Sequence, residues 1–116
     1  MSEQGLDLDE YQRQASKTAL YPGREAEEVA PYPALGLAGE AGEVCEQIKK
    51  AIRDDGGVIS DRRRQSLKKE LGDVMWYLAA LASELDLSLA DIGRANLAKL
   101  ADRQRRGVIQ GEGDER

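Results

Sequence analysis

The chain contains no histidine and no phenylalanine, one cysteine, one tryptophan and three prolines. Each scarcity excludes something. Without histidine there is no Ser-His triad, no imidazole general base and no histidine-ligated zinc or iron site. A lone cysteine, Cys45, rules out a disulfide within the chain and points to the reducing cytoplasm. With no phenylalanine and one tryptophan, the core must be aliphatic. No apolar stretch is long enough to span a bilayer, and "MSEQGLDLDEYQ" lacks the basic and apolar regions of a signal peptide, so no membrane partner is expected.

The net charge is −5 over 116 residues, which argues against nucleic acid as a partner held by bulk charge. It also makes a polyanionic substrate a puzzle, unless something reverses the sign locally. The length fits one domain, residues 1–116, with a core small enough that association with further copies is expected.

What is present is helix. A first helix is predicted from Leu8 to Leu20, ended by Tyr21-Pro22-Gly23. A second runs from about Pro33 to Asp54 and stops at "DDGG". Ser60 or Asp61 caps a third that reaches about Leu85, and Ser88 opens a fourth ending at Arg105 or Arg106. No segment alternates as a strand does. The glycine-containing tail 107–116 reads, on composition, as a frayed end. The expected fold is all-α, a bundle of about four helices.

Two of these helices repeat a pattern. Glu40-Ala-Gly-Glu43-Val44-Cys45 aligns without a gap to Glu70-Leu-Gly-Asp73-Val74-Met75. At about 100° per residue, Ala41, Val44, Cys45, Ile48 and Ile52 form one apolar stripe. Leu67, Leu71, Val74, Met75, Leu78, Ala82 and Leu85 form the other. In both helices the acids fall on the same edge of the stripe. If the helices pack stripe to stripe, four carboxylates converge, and Gly42 and Gly72 mark a close approach of backbones, offsetting the roughly 1 kcal/mol that each glycine costs its helix. Cys45 then becomes a buried, inert thiol.

One Glu-x-x-Glu pair is ordinarily a solvated face, with Lys49, Lys50, Lys68 and Lys69 as partners. Four converging carboxylates need a counter-charge. All-oxygen ligands favour Mg²⁺, with Mn²⁺ as a substitute. An acidic patch that holds such an ion becomes a receptor for phosphate oxygens, which resolves the charge puzzle. There is no P-loop and no EF-hand spacing. Asn96, Lys99 and Arg103 share a face of the fourth helix, with Arg106 a turn on, and form a candidate clamp for distal phosphates. Tyr77 lies on the acidic edge. Trp76 points away from the stripe and reads as subunit interface, or alternatively as a wall for a base to stack on. Gln12 and Tyr11 could face a base.

At these residues the chain resembles the MazG-like nucleotide pyrophosphohydrolases of the all-α NTP pyrophosphatase superfamily. The likeness runs through "YQRQASKTALYP", "YPALGLAGEAGEVCEQIKKAIRDDGG", "KKELGDVMWYLAALASELDLSLADI" and "NLAKLADRQRRGVIQGEGDER". It implies hydrolysis of nucleoside triphosphates between the α and β phosphates, with Mg²⁺ held by Glu40, Glu43, Glu70 and Asp73. It implies that Lys99 and Arg103, with Asn96 beside them, face phosphate, that the tail folds over the site, and that the protein is a homodimer or homotetramer. Many members double the first acid, and the extra glutamate is a candidate to activate water. Here that position is Gly39. Glu46 is acidic but lies about 120° round the helix from Glu40 and Glu43, so the general base is unassigned. Two alternatives stand beside this reading: a helical interaction or regulatory module without catalysis, and a pyrophosphohydrolase of a non-nucleotide substrate.

Overall fold

The computed structural model describes residues 5–116. Four α-helices follow one another: α1 (Leu8–Ser16), α2 (Tyr32–Asp54), α3 (Asp61–Glu84) and α4 (Leu89–Arg106). No strand occurs among the described residues, and no helix there is long and apolar enough to cross a membrane. Side-chain caps start three of the helices. Asp7 accepts from Glu10 N at 2.8 Å, Ser60 from Arg63 N at 3.1 Å and Ser88 from Asp91 N at 3.2 Å. Gly107, at φ 72°, ends α4 in the left-handed conformation that glycine adopts without steric penalty.

The first helix is shorter than its sequence pattern predicts, ending at Ser16 and not at Leu20. Two hydroxyls take up carbonyls at its end: Ser16 Oγ donates to Arg13 O at 2.7 Å and Thr18 Oγ1 to Ala15 O at 3.0 Å. Such local bonds compete with helix continuation. The chain then turns so that Ala19 and Tyr21 enter a small core with Ala30 and Ala80, while Leu20 faces out.

Helices α2 and α3 form a long antiparallel hairpin, α1 packs on α3, and α4 rests on α1. The radius of gyration is 17.2 Å, well above the roughly 13 Å of a compact chain of this length. Gln12 locks the α1–α3–α4 corner. Its Nε2 donates to Ser83 Oγ at 3.0 Å and Leu87 O at 2.9 Å, and its Oε1 accepts from Leu89 N at 2.7 Å. Both polar atoms of the Gln12 amide are therefore engaged in bracing this corner. Glu84 anchors the 17–31 connection, accepting from Tyr21 OH at 2.5 Å and Ala30 N at 2.8 Å.

The hairpin does not pack stripe to stripe. Leu67 and Ala82 are buried, but Ile48, Ile52, Leu71, Met75, Leu78 and Leu85 are exposed, and so is Cys45. The seam instead carries the polar edge, with Glu40, Gln47, Ser66, Glu70 and Tyr77 half-buried and Ala51 fully buried. Gly42 and Gly72 accordingly meet nothing: a Cβ added at either has no neighbour within 4 Å. The glycine that permits close approach is Gly36, where an added Cβ would fall 2.2 Å from the Tyr77 ring. Trp76 is likewise an internal anchor and not a bare interface residue. It is half-buried, donates from Nε1 to Thr18 Oγ1 at 2.9 Å and meets Tyr21 and Tyr77 edge-on.

Candidate metal and phosphate site

The hairpin seam brings three carboxylates together. Glu40 from α2 and Glu70 and Asp73 from α3 each offer an oxygen, all within 4.8 Å of one another. Residues Glu70 and Asp73 are three apart, so they project from adjacent turns of one helix face. Glu43, one turn along α2 from Glu40, stays outside this group, but its charge is felt by Glu40. Glu40 pays for the crowding electrostatically. A hydrogen bond shared with Glu70, then partial burial, then the charges of Asp73, Glu70 and Glu43 push its carboxyl above the ordinary range. A bound cation would reverse that shift. The donor set is all oxygen and suits a hard divalent ion such as Mg²⁺ or Mn²⁺.

Next to the carboxylates lies a cavity of about 380 Å³ lined by Thr18, Glu40, Asp73, Trp76 and Tyr77. Burial, then neighbouring Tyr32 and the charge of Glu40, raise the Tyr77 phenol. Burial, and secondarily the charge of Asp73, do the same to Tyr11 of α1. Thr18 escapes the sequence reading because the helical pattern runs on through it, whereas Trp76 reads there as interface or, alternatively, as a stacking wall.

Glu46 is held elsewhere. Its Oε1 takes the Lys49 ammonium at 2.6 Å, which lowers its pKa, and nothing directs it to the carboxylate group. No α4 residue is among the clustered carboxylates, and α4 packs on α1. Asn96 is exposed. Lys99 Nζ donates to Asp114 Oδ1 at 2.8 Å, and Arg103 Nη2 donates to the same oxygen at 2.9 Å. Arg103 is only 5% exposed, so of these two cations Lys99 is the one open to solvent. The tail thus is not frayed but folded onto α4. Arg116 ties it down by donating to Val108 O, Gly113 O and Ile109 O.

The profile of the MazG nucleotide pyrophosphohydrolase domain matches residues 33–108, which takes in α2 from its second residue and the whole of α3 and α4. Over 114 residues the chain is 49% identical to the Gene 37 protein of Mycobacterium phage L5, a match covering 96% of this chain and 100% of that one. No solved structure is a significant match. The paired acidic motifs on the α2–α3 hairpin, the all-α architecture and the span of the profile agree: the chain belongs to the MazG nucleotide pyrophosphohydrolase family.

Proposed function

We propose that the protein is a Mg²⁺-dependent hydrolase that cleaves nucleoside triphosphates between the α and β phosphates, releasing the monophosphate and pyrophosphate. The observation that carries this reading is the gathering of Glu40, Glu70 and Asp73 within 4.8 Å, with Glu40 driven towards its protonated form. Glu40, Glu70 and Asp73 would hold the ion, with Glu43, one turn along α2, as the fourth candidate ligand. When bound, a divalent cation neutralises phosphate oxygens and promotes attack by water at phosphorus. Tyr77 and Trp76 wall the adjoining cavity, where the aromatic faces suit a nucleoside.

The uncovered face of the hairpin supports a homodimer or homotetramer. Ile52, Leu71 and Met75 are 65%, 56% and 42% exposed, an apolar area that a soluble monomer seldom leaves bare. Gly42 and Gly72 lie beside it with open space above them. Since α4 does not pack on α2, Lys99 would meet substrate phosphates bound by another protomer, as members of the family build their sites.

The test is incubation with Mg²⁺ and a panel of triphosphates, with monophosphate, diphosphate, pyrophosphate and orthophosphate scored separately. Monophosphate with pyrophosphate supports the assignment. No turnover, together with a melting temperature indifferent to Mg²⁺, would favour a non-catalytic helical module.

A further inference from the structure

The charge of this acidic chain is unevenly placed. Residues 46–69, the distal half of the hairpin, hold eight lysines and arginines against four carboxylates, and the remainder holds nine against eighteen. Those four carboxylates are engaged. Glu46 pairs with Lys49, Asp54 with Arg53, Asp61 with Arg64, and Asp55 with Arg63 at a long 3.4 Å. Lys50 and Arg62 form no ion pair among the described residues.

These cations line a cavity. Gln47, Lys50, Ser60, Arg62, Arg63 and Ser66 enclose about 330 Å³, and no carboxylate is among them. The Arg63 Nε is cut off from solvent and has no hydrogen-bond partner. A buried donor of this kind ordinarily finds an acceptor. The walls are rigid, since Lys50 and Arg63 stand on long helices joined by the Gln47 Nε2 to Ser66 Oγ bond at 2.9 Å.

Register ties this cavity to the carboxylates. Lys50 follows Glu43 by seven residues and Arg63 precedes Glu70 by seven. Seven residues make almost two turns, so each cation shares a helix face with its acid, about 10 Å along the axis. Because α2 and α3 are antiparallel, both offsets run in the same direction. Along the hairpin axis there follow, in order, the Trp76–Tyr77 wall, the carboxylates, the Gln47–Ser66 bridge and the cationic cavity.

We propose that the Lys50–Arg62–Arg63 cavity is a phosphate subsite for the end of a polyphosphate chain, either free pyrophosphate or the distal phosphates of a nucleotide. Assigning it to the substrate rests on the proposed hydrolysis and fixes the direction of binding, base toward Trp76 and terminal phosphate toward Lys50. The affinity for phosphate itself needs no catalysis. Guanidinium and ammonium groups converging on a cavity free of carboxylates recognise phosphate by charge-assisted hydrogen bonds.

The experiment is a calorimetric titration of the full chain with inorganic pyrophosphate in EDTA, so that no divalent ion bridges ligand to the carboxylates. Saturable binding, weakened tenfold or more in Lys50→Gln/Arg62→Gln and within twofold of wild type in Arg94→Gln, an exposed α4 cation paired with Asp91, is expected. The doubly substituted residues are exposed and unpaired, and circular dichroism checks that the variant folds. Absence of saturable binding, or its loss in Lys99→Gln and not in the double variant, overturns the proposal. A nucleoside monophosphate should bind at least tenfold more weakly than pyrophosphate; equal binding overturns the assignment to a chain end. A triphosphate with a non-hydrolysable α–β link separates the two sources. Binding weakened by the double variant assigns the subsite to nucleotide, and binding indifferent to it, with pyrophosphate still bound, assigns it to free pyrophosphate. Intact pyrophosphate binding in a protein that turns over no triphosphate would remove the hydrolysis and leave the subsite standing.

Discussion

Asp114 accepts hydrogen bonds from both Lys99 and Arg103 through one carboxylate oxygen. The C-terminal segment is thereby fastened to the face of α4 that the sequence assigns to phosphate binding. Arg103 is buried, and its Nη2 holds Asp114 beside Lys99.

The contact should respond to acid. The Lys99 and Arg103 hydrogen bonds hold the Asp114 carboxyl below the usual aspartate range. Its contribution is complete above the unfolded value, near 3.8, and is lost as the pH falls through the lowered folded value. The protection of residues 108–116 against amide exchange, taken relative to the intrinsic rate at each pH, should therefore hold at neutral pH and fall only below about pH 4. Asp114→Asn should lack that protection throughout. A tail that loosens between pH 6 and 7 would contradict this assignment.

Gly36 and Tyr77 supply a second test. Gly36→Ala forces a Cβ into the Tyr77 ring and should lower unfolding free energy by about 1–3 kcal/mol. Gly42→Ala and Gly72→Ala meet open space within the protomer and should add roughly 0.5–1 kcal/mol in urea denaturation of the dissociated chain.

Replacing Gln12 by alanine leaves Leu89 N–H, Leu87 O and Ser83 Oγ without their partner. A loss of about 1–3 kcal/mol in stability is expected. The order of preference among nucleotide bases should not change. A reordering would return Gln12 to the substrate site.

Association should depend on the bare hairpin face. Leu71→Lys or Met75→Lys should shift sedimentation from the oligomer to the monomer with helicity preserved. A wild-type chain that sediments as a monomer at tens of micromolar would refute the proposed assembly.

Much of this architecture is legible in the sequence. The helix starts at Ser60 and Ser88 are written in capping residues, and the stop at Gly56-Gly57 in turn chemistry. The paired acids announce a shared locus because their spacing repeats on two helices. Other features were hidden. The end of α1 depends on hydroxyls that capture carbonyls in competition with the helix, and a periodic pattern does not show that competition. The apolar stripes mark a surface to be covered but do not say by what, so Cys45 and Met75 read as core although they face outward. Trp76 reads as bare because its partner Thr18 belongs to a different segment. The tail's order comes from Asp114 and Arg116, each satisfied by groups that composition alone leaves unconnected.

The most direct test of the central claim is hydrolysis of a nucleoside triphosphate in ¹⁸O-labelled water with Mg²⁺, comparing wild type with Asp73→Asn. The carboxylate cluster predicts pyrophosphate and a monophosphate that carries the label, with turnover reduced at least a hundredfold in the variant. Diphosphate with labelled orthophosphate, or undiminished turnover in Asp73→Asn, would contradict it.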